Sequence, residues 1–154
     1  MRILIIALAI GCVTPDAFAS DLPRATTALM ALRRSQVFTT AYVGLGHVAT
    51  DEAVAFGRIA TTKASSAFLD LARHGTSAGR LYGLCGLKAL DDPAYPSLRT
   101  EMARRRDRVR GAGCIAVRTT IYRVLALRKS REGGQISDFD RVCGTLIEYA
   151  SERP

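Results

Sequence analysis

The residues with the clearest chemical potential are the arginines of segment 99–131. This segment has eleven Arg or Lys side chains and two acidic ones, in a chain of 154 residues whose net charge is +8. A guanidinium group forms paired hydrogen bonds with phosphate or carboxylate oxygens, and a local positive field attracts polyanions. The densest part predicts an anion-binding surface, made of Arg104, Arg105, Arg106, Arg108 and Arg110. A solvated charged face is the competing interpretation, since the whole chain uses arginine in place of lysine.

Acid–base chemistry would have to use one of two histidines, His47 and His74. Asp70 precedes His74 by four residues, a spacing that brings the two side chains together on one helix face. A hydrolase would also need a nucleophile. The candidates by residue type, which have no signature around them, are Ser65, Ser66 and Cys85. Because a cation at the end of a helix stabilises its dipole, we interpret His74 structurally. We expect no catalytic residue, and a small hydrolase ranks third among the functions considered.

The N-terminus has the three parts of a secretory signal peptide. Arg2 is followed by an uncharged run over 3–13, and Ala17-Phe18-Ala19 supplies small residues just before Ser20. We therefore expect residues 1–19 to be removed and a single domain, 20–154, to be exported to the periplasm or the cell exterior. Alternatively, the segment ending at Cys12 resembles a bacterial lipobox, which would leave the protein lipid-anchored through Cys12.

Three cysteines remain after removal of the signal peptide, and thiols in an exported protein tend to pair. We predict a disulfide between Cys114 and Cys143, with Cys85 reduced and buried in an apolar helix, although a bridge from Cys85 to either partner stays open. The chain has no C-x-x-C motif and no spaced set of His, Cys and carboxylate ligands. We therefore expect neither a bound metal nor a cofactor.

Apolar residues recur three and four positions apart through most of 20–154, as they do along the buried face of amphipathic helices. This periodicity predicts an all-α fold, a small bundle of stacked helical hairpins. The helix expected over 78–90 is apolar on nearly all sides, which is typical of a helix at the centre of a bundle. A further helix is expected to begin at Cys114, in a region that Gly133-Gly134 ends, with an inward set of Cys114, Val117, Ile121, Val124 and Leu125. Any strand is expected only within residues 37–49. Their β-branched and aromatic side chains suit a strand, but an amphipathic helix stays open as the alternative, since a helical stripe is also formed by Phe38, Ala41, Tyr42, Leu45 and Val48.

Several helix boundaries are marked by residue type. Thr50, Thr76 and Ser137 carry hydroxyl groups that can accept a hydrogen bond from the first turn of a following helix. Asp138 and Asp140 would then favour the positive end of the last helix. Gly75 is placed to end a helix in the left-handed conformation.

Residues 78–112 resemble one unit of a HEAT-type helical repeat. The resemblance rests on an apolar helix, a turn, a second helix and the opening of a next repeat, found at Ala89-Leu90, Asp91-Asp92-Pro93, Tyr95 with Leu98, and Asp107-Arg108-Val109-Arg110. It covers about one unit, whereas a stable solenoid normally has three or more. HEAT-type proteins mostly bind other proteins, so the resemblance implies stacked helical hairpins and a protein partner.

The sequence thus favours an exported, non-enzymatic helical interaction module that binds a protein partner in the cell envelope or outside the cell. The alternative is a basic protein that binds a polyanion, such as phosphate, a lipid headgroup or nucleic acid, through residues 99–131. Binding to a polyanion should weaken steeply with salt, whereas an apolar contact should not. No stretch after the signal peptide is long and apolar enough to predict a transmembrane span.

Overall fold

The computed structural model describes residues 21–44, 46–112, 117–129 and 135–152. The predicted signal peptide, Cys12 and Cys114 lie outside these residues. Within them the chain is mostly helical, as predicted, and its short strands form three small sheets.

Seven helices can be traced through the described residues. They are α1 (Asp21–Arg34), α2 (Asp51–Thr61), α3 (Ser65–His74), α4 (Ser77–Ala89), α5 (Tyr95–Met102), α6 (Ile121–Leu125) and α7 (Asp138–Ser151). The strands are β1 (Val37–Thr39), β2 (Tyr42–Val43), β3 (Val48–Ala49), β4 (Arg108–Ala112), β5 (Val117–Thr120), β6 (Leu127–Lys129) and β7 (Gln135–Ser137).

Hydroxyl caps begin three of the long helices, as predicted. The side chains of Thr50, Thr76 and Ser137 accept hydrogen bonds from backbone N–H groups in the first turns of α2, α4 and α7. The prediction for Gly75 was wrong, because its φ is −69° and its backbone is extended. Gly75 is instead required for space, since a Cβ atom there would lie 2.7 Å from the carbonyl oxygen of Leu71.

Helix α4 occupies the centre of the core, as its all-round apolar sequence predicts. Its fully buried side chains are Leu81, Tyr82, Leu84, Cys85 and Leu87. Two glycines let α3 approach closely. A Cβ atom on Gly83 would lie 2.3 Å from the backbone nitrogen of Ala72, and one on Gly86 would lie 2.1 Å from the ring of Phe68. Helix α4 therefore packs against most of the other long helices and against strands β1 and β4.

The expectation that all strands lie within 37–49 was wrong. Of the helix expected to begin at Cys114, residues 117–120 form strand β5, whereas Ile121–Leu125 is helical as predicted, with Ile121, Val124 and Leu125 buried. Strands β1, β4 and β5 form one sheet in the order β1-β4-β5, with β4 parallel to β1 and antiparallel to β5. The physical reason is a two-residue alternation, since Val109 is buried while Arg108 and Arg110 are exposed. The segment that resembles the opening of a second HEAT-type repeat is thus strand β4.

Two further sheets are antiparallel pairs. Strand β2 pairs with β3 inside residues 37–49, where a strand was predicted. Strand β6 pairs with β7 and leads directly into α7.

The disulfide joins Cys85 of α4 to Cys143 of α7, so the predicted Cys114–Cys143 pairing was wrong. The two Cα atoms lie 5.4 Å apart and both residues are fully buried. Cys143 faces Cys85 because α7 packs its apolar stripe directly on the central helix. The bridge closes a loop with a sequence separation of 58 residues and removes conformational freedom from the unfolded chain.

Candidate anion-binding surface

A buried phenol forms hydrogen bonds with the first strand of the three-stranded sheet. The hydroxyl group of Tyr82 on α4 accepts a hydrogen bond from the backbone N–H of Thr39 (3.1 Å) and donates one to the carbonyl oxygen of Val37 (3.0 Å). Burial raises the pKa of Tyr82 well above its usual range, despite the bond from Thr39. The phenol therefore stays protonated and fixes the position of β1, the strand that pairs with β4.

The exposed face of the β4–β5 pair carries arginines directly opposite one another. In the antiparallel register, Arg110 stands across from Arg118, and Arg108 stands across from Thr120. All three arginines are exposed, and among the described residues no carboxylate pairs with them. Like charges directly opposite each other in a sheet are destabilising, so this arrangement is not explained by the stability of the sheet.

The same face continues beyond the strands. Backbone hydrogen bonds from Ile121 to Asp107 and from Tyr122 to Arg105 extend the contact between the two chain segments. The guanidinium carbon of Arg106 lies 4.1 Å from the centroid of the Tyr122 ring. Arg108 and Arg110 are two residues apart in β4 and share a face with Arg118, which stands opposite Arg110. Arg106 precedes β4 and is included because it contacts Tyr122. We use the name arginine face for the set Arg106, Arg108, Arg110 and Arg118, with Tyr122 at its end.

The structure separates the five arginines that the sequence singled out. Arg106, Arg108 and Arg110 belong to the arginine face. Arg105 is turned to Asp107, with an Nε–Oδ2 distance of 2.5 Å. Arg104 is exposed immediately after α5. The candidate site therefore keeps three of the five arginines and gains Arg118, which only the strand register could identify.

A second group of cations, in contrast, is paired with a carboxylate. Asp140, in the first turn of α7, lies 2.7 Å from the Nζ atom of Lys88 and 3.3 Å from guanidinium nitrogens of Arg99. Ser137 also donates to this carboxylate. Partial burial would raise the pKa of Asp140, but the hydrogen bonds from Arg99, Lys88 and Ser137 outweigh it and hold the pKa well below its usual range. We call these four residues the Asp140 cluster.

The Asp140 cluster joins three helices. Lys88 belongs to α4, Arg99 to α5 and Asp140 to α7. Arg99 also donates to the hydroxyl group of Tyr95 (2.7 Å), and its guanidinium carbon lies 5.4 Å from the centroid of the Phe139 ring. Every charged group in the cluster has a partner, so its role is to fix the helices rather than to bind an external ion.

No family model, curated protein or solved structure matches this chain. The geometry of its own residues must therefore carry any functional argument.

The histidines do not assemble a catalytic group with the candidate nucleophiles. His74 lies 2.9 Å from Asp70, as their spacing predicted, and both side chains are substantially exposed. Ser65 donates to Asp92, and Cys85 is in the disulfide. Among the described residues, no hydrogen bond joins a histidine to a serine or cysteine. His47 stands on an exposed turn with φ of 48° and contacts the edge of the Tyr42 ring.

In the part of the chain that the structure describes, no group of three or more His, Cys, Asp or Glu side chains could hold a metal ion. None of the helices in that part combines the length and hydropathy needed to cross a bilayer.

An open apolar groove lies where α2, α4 and α7 end side by side. Its volume is about 370 Å³, and its walls include Phe56, Ala60, Leu90, Ile147 and Ala150, with Lys63 among the lining residues. Such a groove can accept an apolar side chain from another molecule.

Proposed function

We propose that this protein is an exported, non-enzymatic binding protein whose arginine face holds a polyanion. The observation that carries the proposal is the direct opposition of Arg110 and Arg118 across β4 and β5 without a carboxylate among the described residues to neutralise them. Guanidinium groups spaced along a strand pair can make bidentate contacts with successive phosphate or sulfate groups. A bound polyanion would remove the repulsion that the free protein tolerates.

The neighbouring ion pairs argue against a merely solvated surface. Asp140 forms ion pairs with two cations, and Asp107 forms one with Arg105. Carboxylates therefore neutralise other cations in the same part of the protein. On the face, by contrast, Arg110 stands across from a second arginine, Arg118, Arg108 stands across from the uncharged Thr120, and Tyr122 packs on Arg106. The segregation concentrates the positive field on one side of the sheet.

Export is part of the proposal. The buried Cys85–Cys143 bridge is compatible with an oxidising compartment, where such bonds persist. Intact-mass analysis of protein recovered from its native host should give an N-terminus at Ser20. A lipid-modified Cys12 would select the anchored alternative, and a full-length cytoplasmic product would rule export out.

Heparin chromatography tests the anion-binding surface. A variant of the face, R106Q/R108Q/R110Q/R118Q, should elute at much lower salt than the wild type, because four guanidinium contacts are removed together. The matched control removes four exposed arginines elsewhere, R34Q/R58Q/R73Q/R141Q, and has the same net charge. The control should elute close to the wild type. Equal losses in both variants would show that only total charge matters and would contradict the proposal.

A second candidate function is favoured by the apolar groove. Stacked helical hairpins, the finer architecture that the HEAT-type resemblance implies, commonly bind protein partners, and the groove bounded by Phe56 and Ile147 could receive an apolar side chain of such a partner. An Ala60→Arg substitution would place a charged side chain in this groove. If partner binding is lost in A60R but is insensitive to salt and to the face variant, the groove rather than the arginine face is the binding site.

A further inference from the structure

Two large exposed apolar side chains lie near each other in the chain, Tyr122 at the end of the arginine face and Leu127 five residues later. Tyr122 is 44% exposed and Leu127 is 58% exposed. Tyr122 is the second residue of helix α6, whose other apolar side chains, Ile121, Val124 and Leu125, are buried, and Leu127 is the second residue after that helix. Since three helical residues and the extended Ala126 lie between them, the Cα atoms of Tyr122 and Leu127 lie within roughly 12 Å of each other.

The contact between Arg106 and Tyr122 makes this end of the face amphipathic. The ring has a guanidinium group over it at 4.1 Å, and the side chain remains substantially open to solvent. Tyrosine rings with one apolar and one polar end are enriched at the headgroup level of membranes. Arginine keeps its charged end among headgroups while its aliphatic stem lies along apolar surface.

These observations distinguish one polyanion from another. Binding of single-stranded nucleic acid relies on several aromatic side chains that stack on successive bases, whereas Tyr122 is the sole aromatic side chain on the described part of the arginine face. Leu127 offers neither a stacking surface nor a hydrogen bond. An exposed leucine and tyrosine beside unpaired arginines match the boundary between phosphate headgroups and acyl chains.

We propose that the partner of the arginine face is the surface of an anionic lipid bilayer, with the guanidinium groups on headgroup phosphates and with Tyr122 and Leu127 entering the acyl boundary. This inference rests on the proposed anion-binding function and specifies its target. The protein would lie on the membrane and bind reversibly, through charge and a small apolar contact together.

Vesicle sedimentation tests the proposal with phosphatidylcholine vesicles and with vesicles in which part of the lipid is phosphatidylglycerol. The wild type should sediment with the anionic vesicles and stay in solution with the neutral ones. A Y122S/L127S variant should bind anionic vesicles about tenfold more weakly or worse, because two apolar side chains no longer leave water. The matched control M30S/V48S, which removes two exposed apolar side chains elsewhere, should bind like the wild type.

Heparin retention, measured on the same variants, separates the two proposals. Y122S/L127S keeps all four arginines of the face and should retain its heparin binding. Heparin retention without any binding to anionic vesicles would overturn the lipid proposal alone, as would equal vesicle binding by Y122S/L127S and the wild type. Tighter binding to duplex DNA than to anionic vesicles would also overturn it. If the wild type binds neither heparin nor anionic vesicles, the anion-binding function itself would be overturned.

A fluorescent variant supplies a readout that does not depend on weakened binding. The chain has no tryptophan, so Y122W would carry a single indole at the proposed point of insertion. Its emission should shift to shorter wavelength with anionic vesicles and should be quenched by brominated acyl chains. Binding without a spectral shift would place this residue in water and would contradict insertion.

Discussion

The Asp140 cluster and the arginine face gather similar cations in different ways. In the cluster, Lys88 and Arg99 converge on one carboxylate that is only 22% exposed. On the face, Arg110 and Arg118 stand opposite each other in the open, with no carboxylate between them among the described residues. The first arrangement neutralises charge within the fold, whereas the second leaves charge available to another molecule.

The difference shows how position determines the use of one residue type. Burial would lower the pKa of Arg99, but its bonds with Asp140 and Tyr95 outweigh this effect and raise it. The charge of this arginine is therefore neutralised within the cluster. Repulsion between two exposed guanidinium groups is screened by water and salt, so the fold can tolerate the arginine face at a small cost. The comparison predicts that changes near the cluster act on stability and that changes on the face act on binding.

The largest expected effect comes from the bridge that holds α4 and α7, the helices carrying Lys88 and Asp140. The C85A/C143A variant should lose about 4 kcal/mol of unfolding free energy, since the bridge restricts a long loop in the unfolded chain. Urea unfolding measures this loss. A Cys114→Ala substitution is the control and should leave the Cys85–Cys143 crosslink in non-reducing peptide maps. A crosslink containing Cys114 in the wild type would contradict the pairing.

Breaking the cluster directly should have the next largest effect. An Asp140→Asn substitution leaves Lys88 and Arg99 without their carboxylate and weakens charge-assisted hydrogen bonds, at a cost of about 2 kcal/mol in unfolding free energy. Glu148→Gln, on the exposed side of the same helix, is the matched control and should stay within about 0.5 kcal/mol of the wild type. If the two substitutions lower the unfolding free energy equally, the cluster contributes no more to stability than an exposed surface charge. Heparin retention should be unchanged in D140N.

Acid should weaken the cluster while leaving the charge of the arginine face intact. Because the folded-state pKa of Asp140 is held below the ordinary value of about 3.9, its stabilising contribution is fully present above about pH 4. That contribution is lost as the pH falls below this value through the folded-state pKa. The difference in unfolding free energy between the wild type and D140N should therefore narrow below about pH 3. A constant difference from neutral to acidic pH would show that the carboxylate charge is not what matters.

The smallest expected change in unfolding free energy is a stabilisation. Arg118→Glu converts a repulsive cross-strand pair with Arg110 into an attractive one and should raise the unfolding free energy by about 0.5 kcal/mol. The same substitution should lower heparin retention sharply. Arg118→Gln should fall between the wild type and R118E in both measurements. If R118E is destabilised while still binding heparin, the arginine face would have to be assigned a structural role instead.

Local signals in the sequence predicted the helices well. A hydroxyl cap acts on the turn that follows it, so Thr50, Thr76 and Ser137 could be interpreted without knowledge of the fold. The central position of α4 followed from its composition. Strand β4 was missed because its buried residue Val109 lies between two arginines and gives a weak alternation.

Contacts between distant residues could not be predicted in this way. Asp140 was interpreted only as a helix-start charge, since its partners Arg99 and Lys88 lie 41 and 52 residues away. The bond between Cys85 and Cys143 depends on how α7 settles on α4. Arg118 joins the candidate site through the strand register alone, a property that no short pattern encodes.

The Cys85–Cys143 bridge also has a consequence for proteolysis. The whole arginine face lies within the loop that the bridge closes. Trypsin-like proteases cleave the peptide bond that follows an exposed arginine. A single cut beside Arg106 or Arg110 would divide the chain but would leave both pieces covalently joined, with the central helix still tied to the last one. Such a nicked molecule would migrate as an intact chain until a reductant separated it into two fragments.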